Sequence, residues 1–558
     1  MLIKAVKKHK TYIQNILFLL TITLIIYGPH LQNGLFLGAD DSFHLSRIYS
    51  LANSIKNGVF PVKVHSYMCY GTGYGVGFGY SNLFLYFPAL LICLGLSLCT
   101  VYKIYILIIL IELCLVTYFS LNSLTHKSSA SLVGCIIIMF SNRIWWDLYG
   151  LMSIGSLQAS VFMVLAIIGM YKFLISESNN ASTLMLSTGF IGLIYSHTIS
   201  TYMAFSVCAC LVIFYATTFI KYRRKIIKLM TAVICVTCIT AAYWIPMIEQ
   251  MKKQLLKVKA PWTWAEENIA TMHELLSIHG LGYMPLFMLC LSFIIILYLC
   301  VQKKWSLKEL YKKGSFSLIA LLYIAVTMYY PFWHLMNSVI GIKIIQFPYR
   351  LYTPVTFLIA IQITILLADA NIKELSKRNR LAINCFLIIF MTILQYKNYS
   401  DLFTNIDSST IEAVEANNIA GIGGGEEWLP INGNREYMMD NEVTIDNDGN
   451  CIRGKKSQGY TTYTVTLDLS KQYYDLPFVY YKGYQIFSQN NICYDMELNY
   501  NTGMLRVLIP SSMSGSDTIV VKYIGTKYQK IAYVITLCSI LTVLSLALYK
   551  INLRKPHT

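Results

Sequence analysis

Charge is scarce in this chain. Asp, Glu, Lys and Arg make up 13% of its 558 residues, about half the ~25% typical of soluble domains. That excludes a fold whose surface faces mostly water. Acids are the rarer sign, 28 against 45 Lys and Arg. No Cys or His grouping suggests a metal. Of the 15 cysteines, 12 fall in apolar stretches, where they behave as small hydrophobes. Cys69, Cys451 and Cys493 fall elsewhere, and a Cys451–Cys493 bridge stays open because no paired spacing fixes it. The glycine-rich "YGTGYGVGFGY" (70–80) lacks the Gly-Lys-Ser/Thr of a phosphate-binding loop. It reads either as a mobile loop that lays aromatics over a sugar or isoprenoid chain, or as a flexible connection. No internal repeat is visible, which counts against many transporter folds.

What the chain has instead is apolar length. Apolar residues reach 56% and mean hydropathy is +0.52. Repeated runs of about 16–20 apolar residues indicate membrane-crossing helices, which satisfy their backbone internally in lipid. The first run, from about Tyr12 to His30, follows Lys4, Lys7, Lys8 and Lys10 and lacks a small-residue cleavage site. It reads as a retained signal anchor.

The net charge of +17 is distributed as topology, not as a nucleic-acid surface. Residues 397–528 hold 16 of the acids and 10 of the bases, a net of −6, leaving the rest near +23. The bases lie in short loops between spans, as a positive-inside bias requires. Crossings are predicted near 12–31, 101–121, 129–145, 157–175, 183–198, 200–219, 229–246, 282–301, 315–331, 350–368, 381–396 and 529–549. That gives about 12 transmembrane helices with both termini cytoplasmic. The loops 220–228, 302–313 and 371–380 then face the cytoplasm. The apolar stretch 81–98 would invert that parity if it crossed, so it is read as membrane-lying or re-entrant, consistent with Pro88 and Gly95.

The expected organisation is an anchor span (1–31), a first external loop with amphipathic and re-entrant helices (32–100) and a multi-span membrane domain (101–396). An extracytoplasmic β-rich domain (397–528) and a last span with a basic tail (529–558) complete it. The β assignment rests on period-two runs such as "TTYTVTLDL" and "GMLRVLIP" between turn clusters such as "DNDGN" and "NYNTG". The expected fold class is thus a polytopic α-helical membrane protein with a small β-rich domain, a sandwich, near its C-terminus.

Against this poverty of acids, a pair stands out in "NGLFLGADDSFHLSRI" (33–48). Leu45, Ile48, Leu51 and Ile55 have helical spacing, ended by Gly58 and Pro61, with Asp40, His44 and Arg47 on the opposite face. One acid suffices to cap such a helix; the second needs another reason. Asp147, after "SNRIWW", and Glu249, after "YWIPMIEQ", are further acids at external span ends, each near a Trp. Interfacial anchoring explains the aromatics better than the acids. Gln346 and Arg350 in "IKIIQFPYRLY" sit at the entrance of the tenth span, where an arginine can pair with a phosphate. A snorkelling arginine is the plain alternative. His197 in "LIYSHTIS" reads as a packed or supporting polar group, and Glu112 lies within an apolar run.

An Asp-Asp motif after the first span resembles the glycosyltransferase C superfamily. More specifically, "DDSFHLSRI", "NGVFPV", "GYGVGFGYSNLFLYFPALL", "GLMSIGSLQAS", "LIYSHTIS" and "IIQFPYRLY" resemble the YfhO-like bacterial membrane proteins, some of them called 6-pyruvoyl-tetrahydropterin-synthase-related. The later "EEWLP", "LPFVYYKGYQIF", "GMLRVLIPSS" and "VVKYIGT" agree in order and spacing, so the similarity covers nearly the whole chain. The resemblance implies a multi-pass protein of the bacterial plasma membrane that moves a sugar from a polyprenyl-phosphate-linked donor. The acceptor is an envelope glycan or a similar molecule, and membrane lipid is the other partner.

In that reading Asp40 or Asp41 matches the first-loop acid that serves as base or metal ligand, and Asp147 takes the second-loop place. Family members often carry an Asp-x-Asp or Glu-x-Asp pair there. A lone Asp147 does not oblige a divalent metal, although one could be held. Glu249 is a further catalytic candidate. His44, Arg47, His197, Gln346 and Arg350 are candidates for binding substrate, with Arg47 or Lys343 as added positive charge. Two alternatives stay open. One is a transporter or flippase for a lipid-linked glycan or envelope precursor, with Glu112 its main support; the other is a non-catalytic assembly factor.

Overall fold

The structure, a computed structural model, describes residues 2–36, 38–176, 180–260, 263–301, 311–339, 345–369, 377–404, 406–407, 409–415, 422 and 426–552. It is mostly helical, with a β domain near the C-terminus. The chain forms two compact units. Unit 1 comprises Met1–Asp41, Lys103–Val233 and Thr263–Ser408; unit 2 comprises Ser42–Tyr102, Ile234–Trp262 and Ser409–Thr558.

Among the described residues, six helices are long and apolar enough to cross a membrane: Ile13–Leu31, Leu98–Thr125, Ile154–Ile175, Tyr283–Val301, Pro348–Asp369 and Lys527–Tyr549. Three bent pairs raise the number to nine if each is one crossing. Each of the twelve predicted segments falls on a helix or a bent pair. The difference in number has a geometric reason: Asn180–Ser196 and Thr198–Phe214 have only 17 residues each, about 26 Å of helix against ~30 Å of hydrocarbon. Lys377–Tyr399 is the third predicted crossing outside the nine. The stretch 81–98 contains the eight-residue helix Tyr86–Cys93, roughly 12 Å long and too short to cross. Most of the basic loops 302–313 and 371–380 lies outside the described residues.

In unit 1 the most enclosed helices are Pro348–Asp369 and Ile154–Ile175. Small residues let helices approach closely. Gly189 packs where a Cβ would stand 2.5 Å from Ala166 backbone, and Gly169 lies equally tight on Leu186. Helix Ser128–Met139 breaks at Ser141, whose hydroxyl accepts from the Ile144 N–H and starts a new turn at a 45° bend. That turn runs into a π-helical segment, Trp146–Gly150, a form often found at functional sites. The two-residue strands β1 (Leu35–Phe36) and β2 (Ile406–Asp407) pair antiparallel nearby.

Unit 2 is built on a β-sandwich. Strands β3 (Val443–Asp446), β4 (Cys451–Arg453), β7 (Tyr473–Val479), β9 (Asp495–Leu498) and β10 (Met504–Leu508) make a sheet in the order β4-β3-β7-β10-β9. Strands β5 (Lys455–Ser457), β6 (Thr462–Asp468), β8 (Tyr484–Ser488) and β11 (Ser516–Tyr523) make the second, ordered β5-β6-β11-β8. The period of two decides the faces: Tyr463, Val465 and Leu467 of β6 and Ile519 and Val521 of β11 point into one core with Leu505 and Val507. On β7 and β10, Asp475 faces Arg506 in a two-bond ion pair of 2.8 and 2.9 Å. The predicted turns are real: Asp446 accepts from the Asp448 and Asn450 N–H groups, with Gly449 at φ +84°.

The glycine run is neither mobile nor a plain connection. Tyr74, Val76 and Phe78 are fully buried in the sandwich core. The glycines between them admit large neighbours: a Cβ at Gly75 would meet the Tyr481 ring at 2.4 Å, and one at Gly79 the Trp428 ring at 1.6 Å. The Cys451–Cys493 bridge, left open by the sequence, is not formed. Cys451 and Cys493 are free and exposed. Cys451 lies on edge strand β4 and Cys493 just before the opposite edge strand, β9. Four strand spacings, roughly 19 Å, separate those edges, against the ~6 Å that a disulfide spans.

Candidate functional site

Counting the anchor helix Leu2–Tyr27 as α1, helix α2 (Asp41–Lys56) forms where the apolar spacing predicts it and ends at Gly58, φ +77°. Its polar face is not solvated, however. Of the predicted polar face, His44 and Arg47 are buried, and Asp40 is partly buried just before the helix begins.

The two acids of the opening motif have different jobs. Asp41 reaches back to accept the Gly38 N–H at 3.2 Å and braces the loop before α2. Asp40 is positioned by its own backbone: its N–H donates to the Leu151 carbonyl at 2.9 Å, and Ala39 N–H to that of Gly150. Gly38 permits this approach, since a Cβ there would lie 2.5 Å from Met152 and 2.8 Å from the Leu151 backbone. The Asp40 loop is thereby clamped to the π-helical end that carries Asp147.

Around the Asp40 carboxylate lie Arg350, Asp147, Asp41 and the Ser153 hydroxyl. Burial pushes this carboxyl up to about 6. The Arg350 guanidinium opposes the rise, Asp147 and Asp41 add to it, and the Ser153 hydrogen bond lowers it. Asp147, 1% exposed, pairs with Arg143 one helical turn earlier at 3.5 Å and accepts from the Ser156 hydroxyl at 2.6 Å. Arg143 is itself fixed in three directions, with Nε to the Thr353 hydroxyl at 3.2 Å, Nη1 to the His279 carbonyl at 2.6 Å, and its plane over Tyr349. The His279 ring rests against Trp146 and Tyr349; burial and then Arg143 hold its pKa below the usual value. Arg350 sits on the 3-10 turn Pro348–Leu351, donating to the Ile345 carbonyl at 2.9 Å and lying over Phe347.

Unit 1 therefore gathers Asp40, Asp41, Asp147 and Arg350 in one cluster of two arginines and three acids. Arg143, Ser153, Ser156 and His279 were not anticipated. For Arg143 the signal was present, a basic residue four before the acid in "RIWWD"; the serines and His279 carry no comparable mark. Among the described residues no group of three or more His, Cys, Asp or Glu is arranged to hold a metal ion. Asp147 is already engaged by Arg143 and Ser156.

The other candidates lie elsewhere. Gln346 precedes the Arg350 turn at φ +55°, its carbonyl accepting from Asn268. His197 caps helix Thr198–Phe214, its Nδ1 accepting from the Ser200 N–H. Lys343 lies outside the described residues. Glu249, His44 and Arg47 belong to unit 2. There Glu249 accepts from the Thr526 hydroxyl at 2.6 Å and pairs with Lys482 at 3.2 Å. His44 packs against the Phe43 ring. Arg47 donates to the Ser81 carbonyl and lies against Phe43 and Tyr80.

No family model matches the chain. It is similar to an uncharacterized protein of Lactococcus lactis subsp. cremoris (strain MG1363), with 24% identity over 249 residues. The match covers 43% of this chain and 40% of that relative's length.

Proposed function

We propose that the chain is a membrane glycosyltransferase of the glycosyltransferase C type. It moves a sugar from a polyprenyl-phosphate-linked donor to an envelope glycan or similar acceptor. Twelve crossings with cytoplasmic termini belong to the same proposal and rest on the basic loops. The observation that carries it is the half-buried Asp40 carboxyl, pushed to about 6 and set beside Arg350. Sugar transfer needs a base for the acceptor hydroxyl and positive charge for the departing phosphate. A carboxylate near 6 is ionised at neutral pH yet more basic than an ordinary aspartate, and such a base contributes about 10²- to 10⁴-fold. Arg350 and Arg143 supply preorganised charge, and fixed donors act without reorganising during the reaction. Asp147 holds Arg143 in place.

The test compares sugar content of isolated envelope polymers in cells that carry wild type, Asp40→Asn, Asp41→Asn or Arg350→Ala, with membrane abundance measured in parallel. The expected result is loss of sugar in Asp40→Asn and Arg350→Ala at normal abundance. Asp41→Asn keeps an acceptor oxygen for Gly38 and retains it. Persistence of the sugar in Asp40→Asn refutes the assignment.

A second reading, transport of a lipid-linked glycan or envelope precursor, draws on one observation. Glu112, inside helix Leu98–Thr125, accepts from the buried Gln158, which in turn accepts from Tyr105. Intramembrane acids of this kind mark pathways in transporters. Loss of function in Glu112→Gln with Asp40→Asn unaffected would favour it.

A further inference from the structure

Unit 2 contains a cavity of about 340 Å³ whose lining includes no member of the Asp40 cluster. One wall is the β5-β6-β11-β8 sheet, through Thr462, Tyr484, Lys522 and Tyr523; another is the start of the last helix, Lys527–Asn552, through Gln529, Lys530 and Tyr533. Among the described residues, three lysines line it and no Asp or Glu does.

The three lysines differ in kind. Lys63 is buried and pinned, its Nζ donating to the Gly77 and Ala242 carbonyls at 3.4 and 3.0 Å. It supplies fixed positive charge, although burial lowers its pKa to about 8. Lys522 and Lys530 are more open, and among the described residues neither ammonium has an ion-pair partner. A pocket with three cations and no counter-charge selects an anion. Its remaining surface is suited to a hydroxylated group. Gln458 and Thr461 offer amide and hydroxyl contacts, and Tyr460 and Tyr533 offer ring faces with polar ends, while Gln529 donates to the Tyr523 hydroxyl at 2.8 Å and braces the wall.

The last helix adds a location. Only 6% of its apolar window is buried, so along most of its length it offers an apolar surface to surrounding lipid. Its first turns carry Lys530 and Tyr533 at the pocket.

We propose that this pocket binds a phosphate group esterified to a small polyol or sugar. The phosphate sits between Lys522 and Lys530 above Lys63, and the hydroxyls meet the Gln and Tyr side chains. In the lipid form of this ligand the acyl or prenyl tail runs down the Lys527–Asn552 helix; in the soluble form there is no tail. The site stands independently of the transferase reading, since none of its residues takes part in the Asp40 cluster.

The test uses the full chain in detergent. Phosphatidylglycerol and phosphatidylcholine are offered together, and retained lipid is read by native mass spectrometry. Glycerol 3-phosphate and glycerol are offered separately, with melting temperature as the readout. Retention of phosphatidylglycerol at least about tenfold over phosphatidylcholine, lost in Lys522→Ala/Lys530→Ala and restored in Lys522→Arg/Lys530→Arg, supports the lipid form. A melting shift by glycerol 3-phosphate but not glycerol, with the same dependence on the variants and no lipid preference, supports the soluble form. Equal retention of both lipids together with no glycerol 3-phosphate shift overturns the proposal. So does binding that the double alanine variant leaves unchanged.

Discussion

The Asp40 carboxyl protonates near pH 6 in the folded chain and near 3.8 without that environment. Between these values the folded state binds the extra proton, so this group's contribution to stability falls as pH rises through the window and is least favourable above it. The undiscounted difference is about 3 kcal/mol; for a partly exposed group, solvent screening reduces it to roughly 1–2 kcal/mol. Asp40→Asn should therefore melt higher than wild type at about pH 8 and alike at about pH 4; equal melting at both contradicts the environment described for Asp40. Activity should decline about tenfold per pH unit below about 6 as the base is protonated, read from a pH–rate profile. Arg143 makes a different prediction. Removing it leaves Asp147 buried and unpaired, so Arg143→Ala should lose about 3–5 kcal/mol. Arg143→Ala/Asp147→Asn should recover part of that loss in a thermal-melt double-mutant cycle.

At the scale of elements, helix α2 and the period-two strands were readable because a single periodicity decides each. The job of the glycine run was not readable. Alternating Gly and Tyr fits a supple loop as well as a tightly packed one, and the choice depends on Trp428 and Tyr481, some 350 and 400 residues away in the chain. Gly79→Ala tests the packed form directly. Its Cβ overlaps the Trp428 ring, so the substitution should cost about 1–3 kcal/mol and shift tryptophan fluorescence; a silent change refutes tight packing. In the same way, the pair Asp40-Asp41 announced itself by charge, but its division of labour did not. That division follows from two backbone bonds, Asp40 N–H to Leu151 and Gly38 N–H to Asp41, which no sequence spacing encodes. The bend at Ser141, where its hydroxyl accepts the Ile144 N–H, and the π-helical turn that carries Asp147, where the Trp146 ring lies over Gly150, are likewise not marked by any spacing in the sequence.

For the whole molecule, the membrane class followed from composition and the β-sandwich from alternation, because both are properties summed over many residues. The grouping of segments into units is a matter of long-range packing. Residues 42–102 join 234–262 and the C-terminal part in unit 2, sharing one core from Phe43 to Val521. Glu249, His44 and Arg47 fall in that unit, and Asp40, Asp147 and Arg350 in the other. The sandwich depends on that core and not on a covalent staple. Cys451 and Cys493 should both react with a maleimide without denaturant, and reductant should leave the melting temperature unchanged. Protection of either thiol until reduction would contradict the free, exposed state.

The most direct measurement is transfer by the purified chain from a panel of radiolabelled polyprenyl-phosphate sugars, comparing wild type with Asp40→Asn. The account predicts label moved to acceptor by wild type and a fall of about 10²- to 10⁴-fold in the variant, whose melting temperature is no lower. Transfer at the wild-type rate by Asp40→Asn would contradict it.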